Sequence, residues 1–169
     1  MEQHQKVNVV LLIFIGASFA LTLNTFAQKP AETIPNFSFS KLDNAPFSNK
    51  NLASGKSMLF VFFDVTCDHC KETISTLNDR LKDCNPIVIY QISLDDKPKI
   101  ADFLNRYGRN LIMGKNVIIL RDKKDQFITL FGPRKYPSVF LYSSKKKLLL
   151  YDDQDLKLEK FFHLINSAP

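Results

Sequence analysis

Four consecutive residues concentrate the chemistry of this chain: Cys67-Asp68-His69-Cys70. Two cysteines separated by two residues bring their sulfurs within disulfide reach after one helical turn, if a helix starts at the first. A sulfur at a helix N-terminus faces backbone N–H groups with no partner inside the helix, and those groups and the helix dipole both favour an anion. That anion is a thiolate, the nucleophilic form of cysteine; the free thiol has a pKa of about 8.5, which such surroundings lower. The pair can then cycle. Cys67 attacks a disulfide, and Cys70 displaces the reduced partner from the mixed disulfide while closing the Cys67–Cys70 bond; in the oxidative direction the steps reverse. Between them, a protonated His69 favours the thiolate and Asp68 opposes it by like-charge repulsion, so the two partly cancel.

Blander uses of the pair fit less well. A static disulfide across so short a loop constrains the unfolded chain little. Structural zinc usually needs a second pair of ligands, and after residue 27 the soft partners left are Cys84, His69 and His163. No metal is therefore expected. The competing chemistry is copper(I), which two soft thiolates suit. There is no Gly-rich phosphate loop, no His-Glu-x-x-His motif and no nucleotide fingerprint, so no organic cofactor is implied. Cys84, after Leu81 at the end of a helical pattern, reads as a partly buried small apolar residue, and His163 among Phe161, Phe162, Leu164 and Ile165 reads as structural.

The elements that must position the pair follow from periodicity. Met58-Leu59-Phe60-Val61-Phe62-Phe63 is an unbroken apolar run of strand length, as expected for a strand buried on both faces, and it ends just before Cys67. From His69 to about Leu81, apolar Ile74, Leu77 and Leu81 recur at helical spacing among charged residues. Residues 87–92 predict a second buried strand, and 97–107 a helix stopped near Gly108. An edge strand is expected over 34–40 and a loop over 41–57, while Val117-Ile118-Ile119-Leu120 reads either as a strand or as an ordered connection. A helix over 122–131, a hairpin of 138–142 and 148–151 turning at Lys145-Lys146-Lys147, and a final helix with Leu156, Phe161, Phe162 and Ile165 complete the pattern. The sum is an α/β sandwich with a parallel portion and a terminal hairpin.

Residues 1–27 differ from the rest. Val9 to Leu23 is an apolar run preceded by Lys6 and followed by Thr25-Phe26-Ala27, which predicts an export signal cleaved after Ala27. If retained, residues 7–23 would instead anchor the chain in a membrane, although the run is short of the roughly 20 apolar residues that span a bilayer comfortably. Residues 28–169 suit one compact domain. Its formal net charge is unchanged at +6, because the segment removed carries one Lys and one Glu. The basic residues fall in short groups, among them Lys123-Lys124, Arg134-Lys135 and Lys145-Lys146-Lys147, without interleaved aromatic residues; they read as solvated faces rather than a nucleic-acid surface.

Two features together resemble the thioredoxin superfamily, in particular the exported thiol-disulfide oxidoreductases of bacterial envelopes. They are the apolar strand 58–63 leading into Cys67-Asp68-His69-Cys70, and Tyr136-Pro137-Ser138 opening a strand about seventy residues later. The resemblance covers roughly residues 34–166 and implies a thioredoxin-like fold, a central mixed β-sheet flanked by helices. It also implies that Pro137 is cis beside the reactive cysteine, and that the backbone of Tyr136 pairs with substrate. The implied partners are proteins bearing disulfides or thiols, together with a redox partner at the membrane, and the implied location is the periplasm. The sequence departs from the family at Thr66, where tryptophan is common, and at Val61, where thioredoxin has a buried acid. His69 before the second cysteine resembles the oxidising members, though reduction is the expected direction. Related copper chaperones have three residues between the cysteines, against two here. Peroxiredoxins share the fold, yet their nucleophile follows a Thr or Ser by three residues in a proline-containing loop. Thr66 precedes Cys70 by four with no proline before it, so peroxidase activity is not expected.

Overall fold

A computed structural model describes residues 28–155 and 157–167. The leader expected over residues 1–27, and Leu156, lie outside them. Strand β3 (Met58–Phe62) runs through the middle of the sheet, every residue buried, because apolar layers cover both its faces. Leu59, Val61 and the following Phe63 pack to one side, Met58, Phe60 and Phe62 to the other. On one flank β3 pairs in parallel with β4 (Val88–Ser93), on the other antiparallel with β6 (Ser138–Tyr142). Strand β5 (Val117–Arg121) lies parallel beside β4, and β7 (Leu148–Asp152) antiparallel beside β6. An antiparallel pair, β1 (Ser38–Lys41) and β2 (Pro46–Ser48), extends the sheet past β5, giving the order β2-β1-β5-β4-β3-β6-β7.

Parallel neighbours require crossovers, and helices supply them. Helix α1 (Asp68–Asp79) joins β3 to β4; α2 (Lys97–Tyr107) and the short α3 (Arg109–Met113) join β4 to β5. With α5 (Glu159–Ser167) they bury Ile74, Leu77, Ile100, Leu104, Leu111 and Phe161 on the face that includes Cys70. The opposite face is covered by α4 (Gln126–Phe131) and is built of rings: Phe127 and Phe131 stack at 4.1 Å, and Phe131 lies 5.4 Å from Phe60. This layer is where many of the fifteen phenylalanines go. The mixed sheet with helices on both faces is the thioredoxin-like architecture the resemblance implies.

Several boundaries differ from expectation for local reasons. Strand β1 starts at Ser38 rather than residue 34, because Pro35 has no N–H and the N–H of Phe37 donates to Asn49 Oδ1 at 2.8 Å instead of a ladder. The loop expected over 41–57 contains β2, too short for a periodic signal and headed by a proline that an edge strand tolerates. Residues 117–120 resolve as a strand. The helix expected from Asp122 begins at Gln126, since the buried Asp122 carboxylate accepts N–H bonds from Lys124 (3.1 Å) and Phe127 (2.7 Å) and shapes the turn that starts it. Helix α1 ends at Asp79, Leu81 belonging to a 3-10 turn through Cys84, and α3 was not foreseen. The last helix starts at Glu159 rather than near residue 156. Gly132 closes α4 with φ +67°, and a Cβ there would meet the Lys29 carbonyl oxygen at 2.3 Å, so both backbone shape and space demand glycine. No helix among the described residues is long and apolar enough to cross a membrane.

Candidate active site

The chain leaves β3 at Phe62 and enters α1 at Asp68, so the intervening turn decides where the first sulfur points. Asp64 organises it. Its carboxylate accepts from the N–H (2.7 Å) and hydroxyl (2.6 Å) of Thr66, and its carbonyl from the N–H of Cys67 (3.3 Å). Asp95 braces the same turn from the end of β4, accepting from the N–H of Val65 (3.1 Å) and the hydroxyl of Ser93 (3.0 Å). Both aspartates escaped sequence reading, because a lone acid in a loop has no periodicity. Asp64 carries the one available signal, its place three residues before the first cysteine of the pair.

Cys67 is the N-cap of α1, with extended backbone (φ −80°, ψ 120°), and its Sγ accepts the N–H of Cys70 at 3.4 Å. It is half-buried, whereas Cys70, one turn on, is fully buried beneath the helix among Val61, Phe63 and Ile74. Cys70 Sγ accepts the N–H of Asp64 at 3.5 Å. Both cysteines are free thiols, as is the buried Cys84. Burial pushes the Cys70 thiol well above the ordinary thiol range; the Asp64 N–H works against this, while the nearby sulfur of Cys67 and the carboxylate of Asp64 add to it. Burial likewise raises Cys84, to about 12. The two sulfurs are thus unlike: one reaches outward at a helix N-terminus, the other is held protonated inside.

The residues between them face solvent. Asp68 pairs with Lys71 (2.6 Å), which holds its carboxyl below the usual range, so its charge is partly spent on a lysine rather than set against Cys67. His69 is exposed, and among the described residues no hydrogen bond links it to either sulfur. At Val61, where thioredoxin has an acid, the side chain is fully buried. Its register partner on β4 is Gln91, also fully buried, whose amide has no hydrogen-bond partner among the described residues.

The segment Tyr136-Pro137 comes back to the sulfur from the far side of the sheet. The Tyr136–Pro137 bond is cis, and the Tyr136 carbonyl oxygen lies 3.9 Å from Cys67 Sγ. The Tyr136 ring packs on Phe62 at 4.6 Å, and burial raises its hydroxyl to about 12. Cys67, Cys70, Tyr136 and Pro137 therefore meet at one place, at the end of β3 and the start of β6. Arg134, assigned above to a solvated face, is half exposed yet tied to Asp153. No group of three or more His, Cys, Asp or Glu is arranged to hold a metal ion among the described residues.

This geometry can be set beside known proteins. Residues 30–150 match the AhpC/TSA family. No curated protein matches the sequence. Among solved structures, the peroxidoxin BcpB from Mycobacterium tuberculosis superposes with a TM-score of 0.68 at 16% identity, covering 84% of this chain and 99% of that one. A secreted Mycobacterium tuberculosis disulfide oxidoreductase homologous to E. coli DsbE gives 0.64 at 16% identity, over 78% and 96% of the two chains. A thiol-disulfide oxidoreductase from Bacteroides fragilis gives 0.63 at 17% identity, over 79% and 98%. At these identities the likeness is one of fold.

Proposed function

The chain belongs to the AhpC/TSA family of thioredoxin-like oxidoreductases, and from that premise and the site's geometry we propose that it exchanges disulfides with protein substrates through Cys67 and Cys70, in the reductive direction. The observation that carries this is the asymmetry of the pair. Cys67 Sγ caps α1, takes the N–H of Cys70 and stands beside the Tyr136 carbonyl, while Cys70 waits protonated beneath it.

The steps follow from that asymmetry. The Cys67 thiolate attacks one sulfur of a substrate disulfide; the substrate S–S bond breaks, and its other sulfur leaves as a thiolate that takes a proton from solvent. Cys70 then loses its proton to solvent or to the departing substrate sulfur and attacks Cys67 Sγ. The mixed disulfide breaks, the second substrate thiol departs, and the pair is left oxidised by two electrons. A thiol donor must restore it, which gives the membrane redox partner its role. Export by the segment 1–27 would put the domain in a compartment where protein disulfides persist.

Peroxide reduction is the activity the family name and one structural neighbour bring forward. The Thr66 hydroxyl, however, is bound to Asp64 rather than directed at either sulfur. Copper(I) delivery would need only the two thiolates.

The deciding experiment is turbidimetric reduction of insulin by dithiothreitol with the purified domain, together with the Cys67→Ser protein. Wild type is expected to accelerate precipitation and the variant not to; equal, slow rates for the two would sink the proposal. Equilibration against glutathione or dithiothreitol buffers then gives the potential of the couple. A value near the most oxidising members would reverse the direction proposed here, and consumption of hydrogen peroxide at a rate rivalling insulin would replace the substrate class.

A further inference from the structure

The loop from Gly132 to Pro137 belongs to no helix or strand, yet it must present the Tyr136 carbonyl at a fixed place beside Cys67. Among the described residues its backbone hydrogen bonds go to side chains. The N–H of Arg134 donates to the Tyr151 hydroxyl (3.1 Å), the Lys135 carbonyl accepts from Ser138 Oγ (2.6 Å), and the Tyr136 carbonyl meets Cys67 Sγ. Tyr151, near the end of β7, thus touches the loop before Tyr136. It also touches the chain after Pro137, since its hydroxyl lies 3.1 Å from Ser138 Oγ. The phenol hydrogen-bonds the chain before the Tyr136-Pro137 step and lies in contact with it after, where Ser138 Oγ gives its own proton to the Lys135 carbonyl.

That phenol is itself held. It donates to Asp153 Oδ2 (3.2 Å), whose side chain is 1% exposed and which takes a two-pronged bond from Arg134 Nε (3.0 Å) and Nη2 (2.9 Å). Gln154 Nε2 donates to Asp153 Oδ1 at 2.9 Å, and the Arg134 guanidinium stands 5.1 Å over the Tyr151 ring. A carboxylate taken out of water and satisfied by a forked guanidinium is a firm anchor, because removing the guanidinium would leave the buried Asp153 charge without its ionic partner. Strand pairing does not require this network: β6 and β7 are already joined through Phe140↔Tyr151 and Val139↔Asp152, and the Tyr151 ring packs on Phe140 at 4.7 Å. What the polar groups add falls on the loop.

We propose that Tyr151, anchored by Asp153 and Arg134, is a positioning residue that fixes the Tyr136 backbone for polypeptide substrates, and that it takes no part in the sulfur chemistry itself. The inference rests on the disulfide-exchange reading above. A polypeptide brought to Cys67 must pass the Tyr136 backbone and so depends on its placement. A small disulfide needs only the sulfur.

The test is Tyr151→Phe, which keeps the ring and removes the hydroxyl, assayed with two oxidants of the reduced protein: insulin and 5,5′-dithiobis(2-nitrobenzoate). Loosening the loop by losing the Arg134 N–H bond to the phenol, a change on the order of one net hydrogen bond, is expected to raise KM for insulin about tenfold with kcat nearly unchanged. The rate with the small disulfide and the Cys67/Cys70 potential should stay at the wild-type value. Ser138→Ala, which removes both the phenol's neighbour and the Ser138 Oγ bond to the Lys135 carbonyl, loosens the same loop and should give the same split, and serves if the first variant folds poorly. Two results overturn the proposal: an unchanged insulin KM in folded Tyr151→Phe, or parallel losses with both oxidants, which would mark a merely structural network. A wild-type protein inert toward both oxidants would instead overturn the disulfide-exchange reading, and this proposal with it.

Discussion

Limited alkylation of the fully reduced protein should label Cys67 alone, and the margin can be worked from the burial of the other two thiols. At pH 7.5 an ordinary thiol of pKa about 8.5 is roughly 9% thiolate. Cys84, raised to about 12 by burial, is ionised in roughly 3 of every 100,000 molecules, about 3,000-fold less. Higher basicity makes the rare thiolate a better nucleophile; with a Brønsted slope of about 0.4–0.5, the 3.5-unit difference returns about 25- to 60-fold. The net deficit is about 50- to 100-fold before any steric hindrance, and Cys84 is fully buried. Cys70 is shifted further in the same direction and is equally buried, so it should be slower still.

The assay is substoichiometric iodoacetamide at pH 7.5 with N-acetylcysteine in the same tube as the ordinary thiol, each site read by peptide mass spectrometry. The fast label is expected at Cys67 and is lost in Cys67→Ser, with Cys70 and Cys84 at least about 50-fold slower than the standard. Labelling of Cys70 or Cys84 within tenfold of Cys67 would show that the inner thiols are reached in solution. The division into attacking and resolving sulfur would then have lost its structural basis.

Other consequences concern stability. Because Cys84 and Cys70 have folded pKa values above their unfolded ones, both states hold these protons below about pH 8.5, and only the unfolded chain releases them as pH rises further. Urea melts should therefore show stability falling above that pH, toward about pH 12 for Cys84, by about 1.4 kcal/mol per unit per thiol; Cys84→Ala should flatten the slope, and an unchanged slope would refute the assignment. Gln91→Met removes a buried amide that has no partner among the described residues while keeping its shape, which should stabilise by about 1–3 kcal/mol, and a lower Tm would mean that the amide is satisfied in solution. Asp122→Ala deletes the acceptor for Lys124 and Phe127 at the start of α4; calorimetry should show a loss of about 1–2 kcal/mol. Gly132→Ala should cost more than the usual 1 kcal/mol of an unfavourable backbone, since the Lys29 carbonyl must also move, and a neutral result would refute the close approach.

How much of this site was legible depended on how locally each part is specified. The strand 58–62 and the cysteines after it can be read in sequence because burial on both faces writes an unbroken apolar run, and a helix start beside Cys-x-x-Cys fixes the sulfur geometry within one turn. Tyr136-Pro137 was legible only through resemblance; nothing within seventy residues of Cys67 says that the chain returns to it. Asp95, Tyr151 and Asp153 were not legible at all, and Asp64 offered only its place three residues before Cys67. Each is a polar residue whose partner is supplied by a turn or by the β6–β7 pairing, and short-range periodicity carries no trace of either. The same contrast separates the two halves of the site in kind. The sulfurs are carried by a helix end and a sheet end that an apolar sequence of the right pattern would build, with the Asp64 and Asp95 carboxylates shaping the turn between them. The backbone of the Tyr136 loop is held by side chains, so if polypeptides dock there as proposed, variation at Tyr151 or Ser138 would retune which of them is accepted while leaving the cysteine chemistry in place.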